Sequence, residues 1–397
     1  MRCKVQGNKI KTFMSFGKMP MANCFLKKND FKKEFFYNLE IGFNPKNYLL
    51  QVNNHPKSNN LFNNKYPFYT NKSSYMVNHF KKYYHFLKKK YLNSSSKIVE
   101  IGSNDGSFLK NFKNYNHLGF EPSSNIANFS KKYGINVYAG FFNKKNVKKF
   151  KKFLNKTDLI CAANVICHIP NLNDVIKSID LLLNRKGIFV FEEPYLGSMF
   201  KKVSYDQIYD AHVFIFSIHS VKSIFNSHGF DLIDAYPQKT HGGSMRYVIA
   251  RKGERKINKS INKLIKIEKK QKLNKIKSCL IFKKKSELSR FKFKNKLISL
   301  KKAGKTIAGY AASAKSCTVL NYCNIGTDFI DYIADSTNEK IGKFSPGKHI
   351  PIVSIDYYKK NPPDYTVLFS WNHKKEILSK EKKYTANGGK WISHVEI

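Results

Sequence analysis

The sequence is poor in acidic residues and lacks the patterns that mark membrane or secreted proteins. It has 27 aspartates and glutamates against 72 lysines and arginines, which gives a formal net charge of +45. No apolar run approaches the ~20 residues that a membrane helix needs, and the N-terminal residues form no apolar stretch of the signal-peptide type. These absences argue against a helical membrane protein and predict a cytoplasmic chain without a membrane partner.

Paired cysteines are also absent, because the seven cysteines include no C-x-x-C pair. Without a secretion signal, such cysteines are expected to stay reduced rather than to form a disulfide framework. Cys161 and Cys167 lie in apolar stretches, which indicates core packing.

No nucleic-acid-binding motif accompanies the positive charge. The lysines are spread along the whole chain in doublets and triplets, as at 88–90 and 283–285, instead of forming one basic arm. Lysine, asparagine, isoleucine, phenylalanine and tyrosine are all abundant, so AT-rich coding is sufficient to explain the composition. We therefore expect no nucleic-acid partner, although the positive field would help an anionic substrate to approach.

The chain has 397 residues, too many for one ordinary core, so two or three domains are expected. Residues 1–60 contain few long periodic runs, which predicts a small, loop-rich unit. Residues 74–92 carry apolar and aromatic side chains at helical spacing. Residues 254–302 repeat Lys, Ile and Leu every three or four positions without proline, which predicts one or two amphipathic connecting helices.

Strand-like segments alternate with helical ones from residue 97 onwards, beginning with KIVEIGSNDGSFLKNF. Further strand candidates are HLGFEP (117–122), DLICAANV (158–165), GIFVFEEP (187–194) and MRYVIARKG (245–253). The alternation predicts an α/β domain with a parallel sheet covered on both faces. The last ninety residues open with another strand, turn and helix, KTIAGYAASAKSCTVLNYC. They favour a second, smaller α/β unit over strands that extend the first sheet.

The turn EIGSNDG, residues 100–106, carries the strongest chemical signal. It follows a strand, contains Gly102 and Gly106, and precedes a helix whose amide groups can hold a polar ligand. Glu121 ends the next strand, where a carboxylate can bind both hydroxyls of a ribose. The G-x-G-x-x-G spacing of dinucleotide sites is missing. The segment therefore predicts a nucleoside ligand without a pyrophosphate, and S-adenosylmethionine fits.

Two further segments bring polar side chains towards this edge of the predicted sheet. Asn164 and His168 follow the fourth strand on the ligand side, although a lone histidine there is often only packed. Tyr209 and His212 lie close together in YDQIYDAHVFIFS, and a neutral imidazole can act as a general base near pH 7. On spacing alone, a packed histidine is the favoured interpretation of that segment.

The segment THGGSMR, residues 240–246, places paired glycines beside Ser244 and Arg246, just before a strand. This arrangement is compatible with an anion-binding cradle or with a simple turn.

Taken as a set, these segments resemble the nucleotide-sugar C-methyltransferases of deoxysugar biosynthesis over nearly the full chain. The matching segments are KMPMANCFL (18–26), YPFYTNKSS (66–74), EIGSNDGSFL (100–109), GFEPSSNIA (119–127), NVICHIPNLND (164–174), FEEPYL (191–196), IYDAHVFIFS (208–217), THGGSMR (240–246), IAGYAASAKS (307–316), IADSTNEKIGKFSPGKHIPI (333–352) and SWNHKKEI (370–377).

The resemblance implies an α/β protein of three domains, with a helical connector before the last. The domains are a small zinc module at 1–60, a class I S-adenosylmethionine (SAM)-methyltransferase domain of Rossmann-like fold at 61–253, and a Rossmann-like α/β domain at 303–397. The connector covers 254–302. A nucleotide-diphosphate sugar would lie between the last two domains.

The resemblance further implies a reaction and the residues that perform it. The cofactor supplies the methyl group, and a base removes a proton from the carbon next to the keto group of a nucleotide-linked 4-keto deoxysugar, which gives an enolate. The matching catalytic positions are His212 as the base, Tyr209, His168, and Tyr66 or Tyr69. The cofactor positions are Gly102, Asn104, Asp105, Gly106, Glu121 and Asn164, and Lys315 is a plausible phosphate contact. The protein is expected to be a monomer or a small homo-oligomer.

The N-terminal unit departs from the family's zinc site, which uses two cysteine pairs. Here the first pair is Cys3 and Gln6, and Asn44 and Asn47 stand where the second pair belongs. One thiolate in four positions cannot hold a structural zinc. We therefore predict no metal, with the module packed by its apolar residues or partly unfolded.

The catalytic stretch departs from the family's Y-x-E-H pattern, because Ala211 replaces the glutamate beside His212. Alanine cannot bind the sugar or orient the imidazole, and Asp210 is expected to point elsewhere. GYAAS also lacks the second glycine that is usual at the C-terminal turn. The leading prediction is a SAM-dependent C-methyltransferase. The alternatives are a catalytically impaired SAM- or sugar-nucleotide-binding protein and a methyltransferase with a different acceptor.

Overall fold

The computed structural model describes residues 1–64 and 66–396, which form three β-sheets and the helices that cover them. The strands are β1 (Lys11–Pro20), β2 (Phe36–Phe43), β3 (Leu50–Val52), β4 (Lys97–Ile101), β5 (Asn116–Glu121), β6 (Val137–Ala139), β7 (Thr157–Ala163), β8 (Leu183–Pro194), β9 (Phe214–Ile215), β10 (Phe230–Gln238), β11 (Ser244–Arg251), β12 (Ile307–Tyr310), β13 (Ile333–Ala334), β14 (Ile352–Val353), β15 (Tyr365–Leu368) and β16 (Lys390–Ile392).

The helices lie mainly between the strands of the second and third sheets. They are α1 (Ser58–Leu61), α2 (Ser74–Tyr91), α3 (Ser124–Lys132), α4 (Lys144–Val147), α5 (Leu172–Leu182), α6 (Leu196–Lys202), α7 (Ile218–Asn226), α8 (Lys259–Lys270), α9 (Ile276–Lys302), α10 (Ala314–Cys323), α11 (Ile355–Lys360), α12 (Lys374–Lys380) and α13 (Lys382–Ala386). Among the described residues, no helix combines the length and the apolar character needed to cross a membrane.

The central sheet has seven strands in the order β10-β11-β8-β7-β4-β5-β6. Strands β4 to β8 run parallel, whereas β11 pairs antiparallel with both β8 and β10. Apolar cores lie on both faces, one against α5 and α7 and the other against α2. The predicted α/β class and its strands are confirmed. The sheet is mixed, whereas a wholly parallel one was predicted, because the predicted strand β11 runs antiparallel to β8. The strands β6 and β10 were not predicted.

The N-terminal residues form a sheet, so the prediction of a loop-rich unit was wrong. Strands β1, β2 and β3 pair antiparallel, and β9, from the catalytic stretch, adds a fourth strand beside β3. The alternation of buried and exposed residues in β1 breaks at two register shifts, between Thr12 and Met14 and between Ser15 and Gly17. These bulges disrupt the period of two by which a strand is recognised in sequence.

The C-terminal residues form their own sheet of five parallel strands, in the order β14-β13-β12-β15-β16. They therefore make a second α/β unit and do not extend the central sheet. The preceding tract is two helices, α8 and α9, as predicted. The C-terminal and N-terminal sheets share one apolar core, in which the rings of Phe16 and Tyr322 lie 4.7 Å apart.

Candidate active site

The turn after β4 has a backbone that only glycine fits at two positions. Gly102 has φ 66°, and a Cβ there would lie 2.3 Å from Val165 Cγ2. Gly106 has φ 77°, and a Cβ would lie 2.6 Å from the Ser130 hydroxyl oxygen. Both glycines are thus required by the left-handed backbone and by protein atoms. Their role in cofactor binding stays a prediction.

Two buried carboxylates lie at the ends of adjacent strands beside this turn. Glu121 accepts hydrogen bonds from the amides of Asn104 (3.0 Å) and Ser123 (2.8 Å), and burial raises its pKa. Glu100, near the end of β4, is only 3% exposed, and its Oε2 has no hydrogen-bond partner among the described residues. Burial raises the pKa of Glu100 well above its usual range. Glu100 was not singled out from the sequence, although an acid within the apolar run KIVEI was the available signal.

Asn104 and Asp105 bind the segment that precedes α2. The Asn104 side-chain oxygen accepts from the amide and the hydroxyl of Thr70, both at 3.1 Å, and its nitrogen donates to the Phe68 carbonyl at 3.2 Å. Asp105 accepts from the amide of Asn71 at 2.7 Å. Both side chains therefore hold the loop over the turn, which places the YPFY segment beside the predicted cofactor position.

Asn164 follows β7 in a left-handed conformation, with φ 57°. Its amide donates to the Glu192 carbonyl at 2.8 Å, and its buried Oδ1 has no partner among the described residues. Asn164 and Glu100 thus provide buried acceptors without donors at the ends of β7 and β4. Adenosylmethionine carries ribose hydroxyls and amino groups, so the residues present fit this cofactor.

The candidate catalytic residues are brought together between β7 and β9. His168 Nδ1 lies 2.6 Å from the Ala211 carbonyl, and His212 Nδ1 lies 2.7 Å from the Gln207 carbonyl. A carbonyl only accepts, so in each neutral ring Nδ1 carries the proton and Nε2 keeps the lone pair. The Tyr209 hydroxyl donates to His212 Nε2 at 2.6 Å, and the two imidazole rings lie 5.2 Å apart.

Burial keeps both imidazoles neutral at pH 7. It lowers the pKa of His168 and lowers the pKa of His212 well below its usual range, and the positive charge of Lys315 adds to the shift at His212. Burial also raises the pKa of Tyr209 well above its usual range. A neutral imidazole with an Nε2 lone pair is able to accept a proton.

The two tyrosines of the YPFY segment lie in different places. Tyr66 is near this cluster, because Phe62 packs on both the Tyr66 ring (5.4 Å) and the His168 ring (5.7 Å). Burial and the Glu121 carboxylate raise the pKa of Tyr66. Tyr69 instead packs on Phe129 of α3, with ring centroids 5.3 Å apart. Of the two, Tyr66 is the one the fold brings towards the imidazoles.

Asp210 points away from His212, as predicted. Its carboxylate accepts from the amides of Ala22 (3.0 Å) and Ala211 (2.8 Å), and burial raises its pKa to about 6. It therefore joins the catalytic stretch to the loop after β1 and does not replace the missing glutamate.

The anion cradle predicted at Ser244 and Arg246 receives no support from the contacts. Arg246 is buried, with its guanidinium 2.5 Å from Glu192 and stacked 3.8 Å above the Tyr83 ring. The Ser244 hydroxyl donates to the Thr240 carbonyl at 3.1 Å. Lys315, in contrast, lies at the start of α10, 3.8 Å from Asp206, and its charge acts on His212.

The four positions of the family's zinc site meet in space but form a hydrogen-bonded cluster. Cys3 Sγ accepts from the Gln6 amide (3.5 Å) and the Asn47 side chain (3.6 Å), and the Asn44 side chain donates to Gln6 Oε1 (3.2 Å). Three carboxamides and one thiol do not fit structural zinc, which takes thiolate and imidazole ligands.

Within the part of the chain that the structure describes, one other group has metal-ligand residue types, namely Cys167, His168 and His212, with ligand atoms within 4.8 Å of one another. The Tyr209 hydroxyl already binds His212 Nε2, and Glu193 is a hydrogen-bond partner of the Cys167 thiol. These bonds favour an acid–base role for the group.

Known proteins match the chain along most of its length. A methyltransferase domain model matches residues 74–235, and a C-methyltransferase C-terminal domain model matches residues 239–395. The C-methyltransferase NovU of Streptomyces niveus is 27% identical over 384 residues, which cover 96% of this chain and 91% of NovU.

Solved structures resemble parts of the fold loosely. The magnesium protoporphyrin IX methyltransferase of Synechocystis PCC 6803, with bound SAH, is 12% identical over 44% of this chain and 83% of its own, with a TM-score of 0.36. The PH0226 protein of Pyrococcus horikoshii OT3 is 16% identical over 50% of this chain and 100% of its own, with a TM-score of 0.37. Likenesses this loose carry no information on the substrate.

The two family models lie one after the other along the chain, and their boundary falls in the central sheet. The catalytic stretch contacts the C-terminal unit, since the Thr318 hydroxyl of α10 donates to the Ile208 carbonyl at 3.0 Å. Together, the two domain models and the likeness to NovU identify the chain as a SAM-dependent methyltransferase whose C-terminal part matches the C-methyltransferase domain.

Proposed function

We propose that the protein methylates a carbon next to the keto group of a nucleotide-linked 4-keto deoxysugar, and that His212 is the base. The observation that carries the proposal is the state of His212. Its ring is buried and neutral, Nδ1 is fixed by the Gln207 carbonyl, and Nε2 keeps its lone pair beside Tyr209. A C–H group next to a carbonyl is acidic enough for such a base when the enolate is stabilised.

Each residue of the catalytic cluster has its own role in the proposed reaction. His212 Nε2 takes the proton from the carbon, and the electron pair of that C–H bond forms the enolate, which attacks the methyl carbon. The Tyr209 hydroxyl binds Nε2 in the free protein, so it has to turn away from Nε2 before the proton transfer and is then free to donate a hydrogen bond to the oxygen that becomes the enolate oxygen. When bound, SAM supplies a methyl group on a positively charged sulfur, whose bond to that methyl breaks as the carbon–carbon bond forms. His168 and Tyr66 line the same space.

A second candidate function is a protein that binds SAM and a sugar nucleotide but transfers no methyl group. It is motivated by Ala211, since neither this residue nor Asp210 provides a carboxylate at the imidazole. A methyltransferase with a different acceptor remains a variant of the first candidate.

Proton exchange separates these candidates from each other. The protein is incubated in D₂O with S-adenosylhomocysteine and a panel of 4-keto nucleotide sugars, and methyl transfer is measured in parallel with labelled SAM. We expect deuterium to enter the carbon next to the keto group, and His212→Asn to lose both exchange and transfer. His85→Asn, on the exposed face of α2, is the matched control. Exchange without transfer supports the second candidate, and full turnover in His212→Asn contradicts the role of His212.

The proposal also covers the location, oligomeric state, domain bounds and metal content of the protein. We propose that the protein works in the cytoplasm as a monomer or small homo-oligomer, without nucleic acid, and with the domain bounds predicted from the sequence. We also propose that it lacks the family's zinc, because the carboxamide cluster fills that place. Metal analysis should find less than about 0.1 zinc per chain, whereas the triple variant Gln6→Cys, Asn44→Cys, Asn47→Cys should bind about one. One zinc in the unaltered protein would contradict this proposal.

A further inference from the structure

A short loop of the central sheet touches the C-terminal unit directly. This loop, residues 240–242, connects β10 to β11 and packs on residues 371–373. The contact is close, since a Cβ on Gly242 would lie 2.1 Å from the Trp371 ring. Lys202 donates to the Gly242 carbonyl at 2.5 Å and lies over the Trp371 ring. The loop therefore forms a seam between the two α/β units.

His241 lies within this loop in a left-handed backbone conformation, which is uncommon for residues other than glycine. Its φ is 51° and its ψ is 27°, the left-handed region that costs a side chain of this size about 1 kcal/mol. Its Nε2 is buried and has no hydrogen-bond partner among the described residues. Strain and an unpartnered buried nitrogen in one residue indicate a functional constraint on the position of this imidazole.

The groups that face His241 from the surrounding elements are basic. Lys315 comes from α10, His373 from the C-terminal unit, His79 from α2 and His168 from the catalytic cluster. Burial, followed by the charges of these groups, lowers the pKa of His241 to about 3, so the ring is neutral at pH 7.

The nearby acids are bound to other partners. Asp206 lies 3.8 Å from Lys315 and accepts from the Trp371 indole at 2.8 Å. Glu192 binds His79 at 2.6 Å, and Glu376 lies 3.7 Å from His373. None of these acids forms a hydrogen bond with His241, so a protonated His241 has no carboxylate counter-ion.

We propose that His241 and Lys315 bind the diphosphate of the substrate, and that His241 takes up a proton from solvent when this anion enters the seam. The substrate class rests on the proposed function, whereas the site rests on the unpartnered imidazole and its basic surroundings. Two phosphate charges provide the counter-ion that the free protein lacks, and an anion within about 4–6 Å favours the charged imidazole. The proton-bearing Nε2 then donates a hydrogen bond to a phosphate oxygen.

Proton uptake makes substrate affinity depend on pH in a defined direction. Because the free ring is neutral above about pH 3 and the bound ring is charged, binding consumes a proton over the range between the two pKa values. Affinity for the diphosphate therefore falls as pH rises, by up to about tenfold per pH unit within that range.

Calorimetry can count this proton. UDP-glucose and dTDP-glucose are suitable probes, since their diphosphates carry no proton to lose near pH 6. Each is titrated into the full chain at pH 6 in buffers with different ionisation enthalpies. We expect an uptake of up to one proton per site, and an uptake near zero with His241→Asn, together with an affinity that is at least about tenfold weaker. Lys315→Gln should weaken affinity similarly.

Three controls keep the result specific. His85→Asn should behave like the unaltered protein, uridine and thymidine should cause no uptake, and S-adenosylhomocysteine should bind every variant equally, which also shows that each is folded. Three outcomes would overturn this inference and leave the proposed function standing. They are probe binding without proton uptake, an unchanged affinity in His241→Asn, and no binding of either probe by a protein that still binds S-adenosylhomocysteine. Failure to bind S-adenosylhomocysteine would instead overturn the proposed function.

Discussion

The strand ends of the central and C-terminal sheets carry the same turn with different chemistry. After β4, the Ser103 amide donates to the Phe120 carbonyl of the neighbouring strand, and after β12 the Ala311 amide donates to Ala334 in the same way (3.0 and 2.8 Å). Each neighbouring strand is followed or ended by an acid, Glu121 in one case and Asp335 in the other.

The two acids differ in their partners. Asp335 lies 3.3 Å from the Lys340 ammonium, which also donates to the Ala312 carbonyl at 2.6 Å. Glu121 forms no ion pair with a cation among the described residues and accepts from the backbone amides of Asn104 and Ser123. A carboxylate without a cation is available to ribose hydroxyls, whereas a lysine-bound one is not. The comparison teaches that a shared backbone layout does not make two nucleoside sites, and it favours the first turn for the adenosyl group.

The largest effect is expected from Gly102→Ala at the first turn. The left-handed backbone and the clash with Val165 should together lower the free energy of unfolding by about 3 kcal/mol. Gly304→Ala is the matched control, since Gly304 has φ 69° but no atom within 4 Å of the added Cβ. It should cost only about 1 kcal/mol. Chemical denaturation measures both, and equal losses would show that Val165 does not enforce the glycine.

A pH-dependent effect should separate the uncompensated acids of the central sheet from the paired acids of the C-terminal one. Burial raises the pKa of Glu193, at the end of β8, to about 7. The native state thus keeps a proton that the unfolded chain loses near pH 4.5. The contribution of Glu193 to stability is present below pH 4.5 and is lost as pH rises through 7, by about 3 kcal/mol.

Glu193→Gln should remove this slope, because the amide oxygen can still accept from the backbone of Val165 and Cys167. The measurement is urea denaturation from pH 4.5 to 8. Glu254→Gln, at the surface, should leave the slope unchanged. A slope that survives in Glu193→Gln would assign it to other groups, such as Asp210.

Removal of the acid should weaken cofactor binding only at the first turn, the one after β4. Glu121→Ala should raise the dissociation constant of S-adenosylhomocysteine at least about tenfold, since a charged hydrogen bond is worth about 1.5–3 kcal/mol. Asp335→Ala should leave it unchanged. Calorimetry decides, and equal behaviour of the two variants would contradict the distinction between the turns.

The smallest effect is expected at the second turn, where an alanine stands in a glycine conformation. Ala311 has φ 73°. Ala311→Gly should raise the free energy of unfolding by at most about 1 kcal/mol, because the relief of strain exceeds the extra entropy of the unfolded chain. Ala303→Gly, at φ −82°, should lower it instead. A destabilised Ala311→Gly would mean that the strain is relieved elsewhere.

The sequence revealed most of the central and C-terminal units because their strands are short apolar runs between clear turns. It did not reveal β10, whose segment FDLIDAYPQ contains two acids and a proline. The N-terminal sheet was missed because bulges interrupt its alternation, and because β9 joins it from more than 150 residues away in the chain. Pairings between distant segments leave no local signal.

The sequence identified the candidate site residues but not the side-chain contacts that they make. The turn, Glu121 and the residues around His212 were recognisable from spacing and from the family pattern. That Asn104 and Asp105 bind the preceding loop, or that Arg246 is paired with Glu192, depends on side-chain geometry that no pattern encodes. His241 was overlooked because its surroundings come from four separate segments.

The pairing of Phe214 and Ile215 with β3 lets the N-terminal unit support the segment that carries the proposed base. Its two backbone partners, Leu50 and Gln51, fix the chain just beyond His212, and the Val52 amide binds the Val213 carbonyl at 2.8 Å. A chain shortened to start after residue 60 would lose this support while its cofactor turn stayed whole. Such a fragment should hold the methyl donor yet misplace the imidazole, so the N-terminal sheet contributes to the position of the base through backbone bonds alone.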